Sequence, residues 1–443
     1  MYTPAPAPAQ AACARLRQAG HSVYLAGGAV RDRLLGRPVF DLDIATSATP
    51  DEVVLLFPDA RLVGASFGVV LVQQGGEEIQ IATFRSDHSY IDHRHPGSIS
   101  FEKDPRQDVL RRDFTINGLL EDPLTGEILD FVGGRADLDA HIIRAIGDPQ
   151  ARFAEDALRM LRAVRLAARL GFTIESATLK AIQTTAYSID SISAERIRDE
   201  ISLIITSEAT RQGFVWLRIS GLLPLILPEV SAMEGVVQPP GFHPEGDVWT
   251  HTLLALDQLA NPSIELALAV LLHDVAKPRT FTQTDRIRFD GHAELGASMA
   301  REILTRLRYP NSVIDSAVSL IANHMRFMEV DRMGQAAFKR LLRLPRFDDQ
   351  LELLRIDTLA SNRPLTTYEL VRRRMEETPP ESVHPPRLLG GDNLLAMGFA
   401  PGRAMGEILH AVEEAQLEGE LQTRQDAERF VRTRFGVKPP STA

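Results

Sequence analysis

The sequence predicts an α+β fold with its strands gathered towards the N-terminus, and three observations carry that prediction. Short β-branched or alternating runs at 21–26, 40–45, 68–73, 79–84 and 98–101 are separated by Gly, Pro and Asp. Beyond about residue 150 the apolar spacing becomes helical, over 151–170, 194–206, 252–272 and 293–308. With 443 residues, 44% hydrophobic and 24% charged, the chain has apolar material for several cores. That composition excludes a wholly disordered or fibrous protein and points to about three domains.

Turn-rich breaks at Gly147-Asp148-Pro149, at Gln238-Pro239-Pro240-Gly241 and over 377–386 divide the chain. The expected units are a leader over 1–20, a head over 21–147, a neck over 148–237, a helical domain over 238–376 and a helical tail over 377–443. The opening MYTPAPAPAQ has no basic segment before an apolar block, so it reads as a short disordered leader and not as a signal peptide. The longest apolar stretches, such as 266–272, are core-sized and far short of the ~20 residues that span a bilayer. The single cysteine, Cys13, excludes an intrachain disulfide and a cysteine zinc cage, and it fits a reducing, cytoplasmic setting.

The net charge of −10 argues against a uniformly basic nucleic-acid coat. Its distribution is uneven. Residues 51–150 carry 9 basic and 18 acidic side chains, whereas 151–200 carry 8 and 7 and 301–350 carry 9 and 6. Acidic groups are thus concentrated in the head, and basic faces remain on the helices.

Within the head, Gly27-Gly28-Ala29-Val30-Arg31-Asp32 is followed nine residues later by Asp41-Leu42-Asp43. A strand that ends in Gly-Gly and runs into a helix leaves small residues and free backbone N–H groups where a phosphate can approach, and Arg31 adds a charge-assisted contact. Asp41 and Asp43 alternate along the strand, so both carboxylates face one side, as two-metal phosphoryl chemistry with magnesium requires. Either motif alone reads as a helix-entry turn or a solvated edge strand; together they favour a site. Further on, Arg111-Arg112-Asp113-Phe114-Thr115-Ile116-Asn117 sets charge beside an apolar face. Arg112 suits a phosphate there, and Asp113 a ribose hydroxyl.

At this point the sequence resembles the class II tRNA nucleotidyltransferase and bacterial poly(A) polymerase family, within the polymerase-β-like nucleotidyltransferases. The resemblance runs through GGAVRDRLLGR, FDLDIAT, TFRSDHSYIDHRHP, RRDFTINGL and EDALRMLRAVRLAARLGF, in the family's order, across nearly all of 20–175. It implies a head with a mixed five-stranded sheet in which Asp41 and Asp43 hold two magnesium ions, while the 3′-hydroxyl of an RNA attacks the α-phosphate of a nucleoside triphosphate. It also implies nucleotide contacts from Gly27, Gly28, Arg31, Arg112, Asp113 and Asn117, and base selection by Glu155, Asp156 and Arg159, with Arg162 and Arg165 continuing the polar arc. On one helix Glu155 and Arg159 would form an i,i+4 pair, with Leu158, Leu161, Val164 and Ala168 facing inward. The sequence departs from the family at Gln80, where a Glu is frequent. The His-rich segment over 85–108, with His88, His93 and His95, resembles the family's mobile loop that shifts specificity from CTP to ATP; a metal site is the alternative reading of those histidines.

The central region carries His251, His273-Asp274, His292, His324 and Asp357, an ordered series across about a hundred mostly helical residues. It resembles the HD phosphohydrolase superfamily, and Lys277 also matches. Imidazole and carboxylate ligands suit a divalent transition metal such as Mn, Ni, Co or Zn and the activation of water for phosphoester hydrolysis. Basic clusters at Arg326, Arg332, Lys339, Arg340, Arg343 and Arg346, and at Arg372 to Arg374, suit the phosphates of a structured RNA. The resemblance therefore implies a magnesium-dependent enzyme that adds the 3′-terminal CCA, or part of it, to tRNA from CTP and ATP, with an HD phosphohydrolase centre. A poly(A) polymerase is the nearest alternative, and an HD phosphohydrolase with an RNA-binding head is the second.

Overall fold

Ala9, Ala12, Cys13 and Leu16 recur at helical spacing, and they are the buried face of the first helix, α1 (Ala7–Gln18). That stripe packs α1 on the sheet behind it, so the expected disordered leader gives way to a helix from Ala7 onward. The computed structural model describes residues 6–39, 42–63, 68–90, 96–241 and 243–436. Contacts divide the chain into a first unit, Met1–Ser231 with Arg306–Arg308, and a second, Ala232–Thr305 with Tyr309–Ala443.

The first unit begins as a mixed sheet. Its strands are β1 (Val23–Ala26), β2 (Asp43–Thr46), β3 (Arg61–Leu62), β4 (Val69–Gln74), β5 (Glu77–Thr83), then β8 (Leu120–Glu121) and β9 (Ile128–Leu129). The intervening β6 (Arg85–Tyr90) and β7 (Pro96–Phe101) form a separate antiparallel ribbon; the strand expected at 98–101 lies in β7, within the segment over 85–108 that resembles the family's mobile loop. The order is β3-β4-β5-β2-β1-β8-β9, seven strands where five were expected. Four of the five expected runs supply β1, β2, β4 and β5, the fifth falls in β7 outside this sheet, and β3, β8 and β9 complete the seven, each two residues long and too short to leave an alternating pattern. β2 runs parallel to β5 and antiparallel to β1. Leu25, Ile44, Val70 and Ile81, each fully buried, form the core of this sheet. Its register places Asp43 opposite Ala26 on one side and Gln80 on the other.

Short helices α2 (Gly28–Leu34), α3 (Pro50–Leu56), α4 (Pro105–Leu110) and α5 (Gly134–Asp139) accompany the strands. The pair β10 (Ile142–Ile143) and β11 (Thr173–Ile174) then leads into helices: α6 (Pro149–Glu155), α7 (Leu158–Leu170), α8 (Ser176–Thr185), α9 (Ala194–Ile205), α10 (Thr210–Ile219), α11 (Leu223–Ile226) and α12 (Pro228–Ser231). Leu158, Leu161, Val164 and Ala168 are all buried on α7, which packs against α9 and α10. The helix expected over 151–170 is broken: Asp156 is extended, with φ −148° and ψ 104°. Its carboxylate accepts from the Leu158 N–H at 3.1 Å, so an acidic side chain caps the second helix instead of continuing the first.

The second unit is almost wholly helical. It contains α13 (Val248–Leu256), α14 (Ile264–Leu272), α15 (Lys277–Thr280), the hairpin β12 (Thr282–Gln283) and β13 (Ile287–Arg288), α16 (His292–Arg306) and α17 (Asn311–Asn323). There follow α18 (Gln335–Leu342), α19 (Phe347–Ala360), α20 (Thr366–Glu377), α21 (Pro380–Val383), α22 (Gly391–Ala396), α23 (Arg403–Glu418) and α24 (Arg424–Phe435). Beyond Glu265 in its first turn α14 is apolar and buried on every side from Leu266 to Leu272, and it packs against α13, α17 and α19. Separate cores form around Phe338 and Leu341, and around Leu394 and Val431. Among the described residues, no helix is long and apolar enough to cross a membrane.

Candidate functional site

β1 ends at Ala26 and the chain turns into α2 through Gly27, whose φ of +70° favours glycine. A Cβ there would stand 3.4 Å from Arg112 Nη1 and 3.7 Å from Asp43 Oδ2, so the turn brings the backbone between a cation and a carboxylate. Asp43 opens β2; Asp41 lies outside the described residues, as do His93 and His95.

Gly27, Gly28 and Asp43 line a cleft of about 240 Å³ together with Arg112, Asp113, Asn117, Arg159 and Arg162. Arg111 joins them. The cations are held from behind. Asp108 accepts from Arg111 at 2.6 and 2.9 Å through one oxygen and from Arg112 at 2.8 and 3.2 Å through the other. Burial alone would push the Asp108 carboxyl up, but Arg112 and Arg111 outweigh it and hold the pKa below the usual value. Asp113 is held low in the same way: burial opposes ionisation, and Arg162 at 2.9 Å, the Asn117 amide at 3.1 Å and the Phe114 N–H at 2.8 Å overcome it. The charge of Asp113 in turn raises the pKa of Arg162.

The remaining expected residues are engaged by partners within the protein. Arg31 is buried behind the cleft, donating to Asp32 at 2.8 Å and to the Asn117 carbonyl at 2.7 Å, so it orients an amide and does not reach into the cleft. Glu155 meets Arg159 at 2.5 Å across the break between α6 and α7, a pair made by the turn rather than by one helical face. Asp156 is held by Arg196 of α9 at 2.8 and 3.3 Å. Arg165 donates to Glu200 at 2.7 Å and does not line the cleft.

In the second unit, His251 of α13, His273 and Asp274 at the end of α14, His292 at the start of α16, His324 after α17 and Asp357 of α19 come together. His251 Nε2 is 3.0 Å from Asp357 Oδ1 and 3.3 Å from His273 Nε2. His292 Nε2 is 3.2 Å from His324 Nε2. Four donors about 2.1 Å from an ion would stand about 3.4 Å apart in a tetrahedron, so these spacings and this N/O donor set fit a divalent metal. Each ring is steadied from its far side: His273 Nδ1 donates to Val270 O at 2.9 Å, His292 Nδ1 to Phe289 O at 2.8 Å and His324 Nδ1 to Ile321 O at 2.6 Å. His251 Nδ1 faces Glu245 Oε1 at 2.8 Å.

Burial holds His324 down to about 4 and lowers His292, which keeps both imidazoles neutral. For His251 burial also opposes protonation, but Asp357 and Glu245 outweigh it and the pKa rises to about 9. Asp274 is held well below the usual range: burial opposes its charge, and His273 and Lys277 overcome it. Lys277 Nζ lies 2.7 Å from Asp274 Oδ2 and 2.7 Å from Gln238 Oε1. The cluster opens on a cleft of about 550 Å³, lined also by Arg286, Arg288, Phe289, Met325, Met328 and Arg363.

Family models match the Poly A polymerase head domain over residues 23–144, the probable RNA and SrmB-binding site of polymerase A over 171–233, and the HD domain over 248–371. The CCA-adding enzyme of Geobacillus thermodenitrificans is 31% identical over 417 residues, which is 93% of either chain. The chain belongs to the CCA-adding enzyme family. A Multifunctional CCA protein from Halorhodospira halophila is 40% identical over 310 residues, covering 68% of this chain and 73% of that one. Among solved CCA-adding enzymes, that of Bacillus stearothermophilus in complex with CTP superposes with a TM-score of 0.73 at 27% identity, covering 97% of this chain and 98% of that chain. The expected fold class and family are thereby established, and the protein is an enzyme, a nucleotidyltransferase. Its nucleotidyltransferase and HD domains imply dependence on divalent metal.

For this CCA-adding family member, sequence reasoning missed Arg196, Glu200, Glu245 and Gln238. Only Glu245 left a local trace, in the turn His243-Pro244-Glu245-Gly246 just before His251. The basic clusters are also less free than their sequence implied. Lys339 donates to Leu417 O at 2.7 Å, Arg343 pairs with Glu413 at 2.7 Å, and Arg374 lies 4.2 Å from the centre of the Phe338 ring. They tie α18 to α20 and α23.

Proposed function

We propose that the chain is a template-independent tRNA nucleotidyltransferase that adds the 3′-terminal CCA, or part of it, using CTP and ATP. The single observation that carries this reading is the cleft in which Asp43, Arg112, Asp113, Asn117, Arg159 and Arg162 converge beside Gly27 and Gly28. On this reading residues 21–147 are the catalytic head, 148–237 the neck, 238–376 the HD domain and 377–443 the tail. Asp41 and Asp43 would hold magnesium, which supplies charge neutralisation for the triphosphate and the attacking 3′-hydroxyl. Arg112, fixed through Asp108, leaves Nη1 directed at the Gly27 turn, where a phosphate oxygen would lie. Asp113 and Asn117 border the ribose position, and Asp156 and Arg159 offer an acceptor and donors to a base edge. The buried Cys13 supports a reducing, cytoplasmic setting.

The test supplies tRNAs ending before the first C, before the second C and before the A with CTP, ATP or both, and sequences the products. Stepwise completion that stops at CCA is expected. Long A tails on unrelated RNA would instead select the poly(A) alternative. Asp43→Ala should lower incorporation at least about a thousandfold, the loss of several kcal/mol of transition-state stabilisation, while tRNA binding persists.

A second reading is favoured by the convergence of four imidazoles and two carboxylates: a metal-dependent phosphohydrolase in the second unit, using a transition metal such as Mn, Ni, Co or Zn. Lys277 and the arginines of the 550 Å³ cleft suit a phosphoester. Phe289, Met325 and Met328 give it an apolar wall.

A further inference from the structure

α19 ends in a turn that fixes the place of an arginine. Asn362 adopts φ +51°, its N–H reaches Leu359 O at 2.9 Å, and the N–H of Arg363 donates back to Thr358 O at 3.1 Å. Arg363 is thereby held six residues beyond Asp357 on the wall of the same 550 Å³ cleft. Arg286 reaches that wall from the turn between β12 and β13, six residues before His292. The other cations of the cleft are engaged. Lys277 lies 2.7 Å from Asp274 Oδ2 and 2.7 Å from Gln238 Oε1, and Arg288 pairs with Asp285 at 2.9 and 3.1 Å. Among the described residues, the guanidinium groups of Arg286 and Arg363 form no ion pair. Asp290, the wall's acid outside the histidine cluster, is exposed and pairs with neither. The cleft also has an apolar side of Phe289, Met325 and Met328, the two methionines 43% and 39% exposed. A ring and two thioethers that meet solvent suit the face of a nucleobase.

A guanidinium on a cleft wall without a carboxylate keeps its donors for a ligand, and phosphate is an anion its fork fits. A phosphoester at the histidine–aspartate cluster meets Lys277 there, whereas no ion pair joins Arg286 or Arg363 to that cluster. Those two arginines answer to a further anionic group on the same molecule. We propose that the cleft takes a nucleoside phosphorylated on both sides, one phosphate at the cluster and the second at Arg286 and Arg363, with the base against Phe289, Met325 and Met328. A volume of about 550 Å³ falls within the ~300–1,000 Å³ of clefts that hold ligands of this size. A free nucleoside bisphosphate and the end of a nucleic-acid strand both present that unit.

The inference rests on reading the second unit as a phosphohydrolase, and the experiment separates the two. Binding to the metal-free full-length chain is measured by calorimetry with thymidine 5′-monophosphate, thymidine 3′,5′-bisphosphate and the 5′-phosphorylated thymidine dinucleotide. The bisphosphate should bind about tenfold more tightly than the monophosphate, the worth of one charge-assisted contact. Arg286→Gln with Arg363→Gln should remove that advantage and the matching Lys substitutions should keep part of it, which separates this cleft from nucleotide held by the head. Equal affinities in the unsubstituted chain, or an advantage that survives the Gln substitutions, overturns the proposal. Dinucleotide affinity equal to that of the bisphosphate assigns a strand end, and affinity equal to that of the monophosphate assigns the free bisphosphate. Hydrolysis is then followed with Mn²⁺ and the p-nitrophenyl ester of thymidine 5′-phosphate, with and without a 3′-phosphate. Water supplies the oxygen that joins phosphorus and gives up its proton to solvent, while the ester P–O bond breaks and p-nitrophenolate leaves with the electron pair. The 3′-phosphorylated ester should show a kcat/KM about tenfold higher, a ratio that the Gln substitutions bring close to unity. Release from both esters at equal kcat/KM overturns the second-phosphate site and leaves the phosphohydrolase reading in place. No release from either ester, nor from bis-p-nitrophenyl phosphate, overturns that reading alone, since the calorimetric difference needs no catalysis.

Discussion

Asp156 and Arg196 meet across forty residues of sequence, and their contact fixes the acceptor proposed to read the base. A partly buried charge-assisted pair of this kind is worth about 1–3 kcal/mol to the group it orients. Arg196→Ala should therefore raise the KM for CTP and ATP about tenfold and blur selection between them, with kcat less affected. Arg196→Lys should restore part of the loss, and steady-state kinetics with each nucleotide checks both. Asp43, Arg112 and Asp113 were legible because their motifs place the chemistry within a few residues of chain. Arg196 and Glu245 were not: Arg196 acts on a partner forty residues away that only folding brings near, and Glu245, though close to His251 in sequence, stands in a turn where a glutamate has an ordinary surface role by default. Arg31 shows the converse, a motif residue whose type was legible and whose direction was not, since the fold spends its donors on Asp32 and Asn117.

Among the elements, the helices and longer strands followed from apolar spacing, while the break at Asp156 did not, because the apolar period continues through it. The close crossing of α9 and α10 also leaves little trace in the sequence beyond one glycine. A Cβ at Gly213 would stand 2.4 Å from Ile204 Cγ2, so Gly213→Ala should destabilise the first unit by about 1–3 kcal/mol, read as a lowered urea midpoint, despite alanine's better helix propensity. At α4 the prediction concerns pH. Asp108 is held below its ordinary carboxylate value by Arg112 and Arg111 against the opposing effect of burial. A depressed carboxyl adds stability that is present above the unfolded value of about 3.9 and is lost as pH falls through the lower folded value. Asp108→Asn should therefore lower stability at neutral pH and flatten its acid dependence below about pH 4, measured by denaturant melts across pH.

For the whole molecule, the net charge of −10 is a poor guide to partners, because hard carboxylates in one unit and imidazoles in the other each call for cations of their own. After chelation, magnesium alone should restore nucleotide incorporation, whereas cleavage of a phosphodiester such as bis-p-nitrophenyl phosphate should return only with a transition metal. Recovery of both activities with magnesium would show that the donor sets do not divide the metals in this way. The histidines of the second unit have a further consequence. His273, His292 and His324 each give their Nδ1 proton to a main-chain oxygen three residues earlier, at Val270, Phe289 and Ile321. Every amino acid supplies that oxygen. The ring orientations are thus set by the course of the main chain alone, and what packing asks of the side chains at those positions, buried at Val270 and Ile321 and lining the cleft at Phe289, is a separate demand.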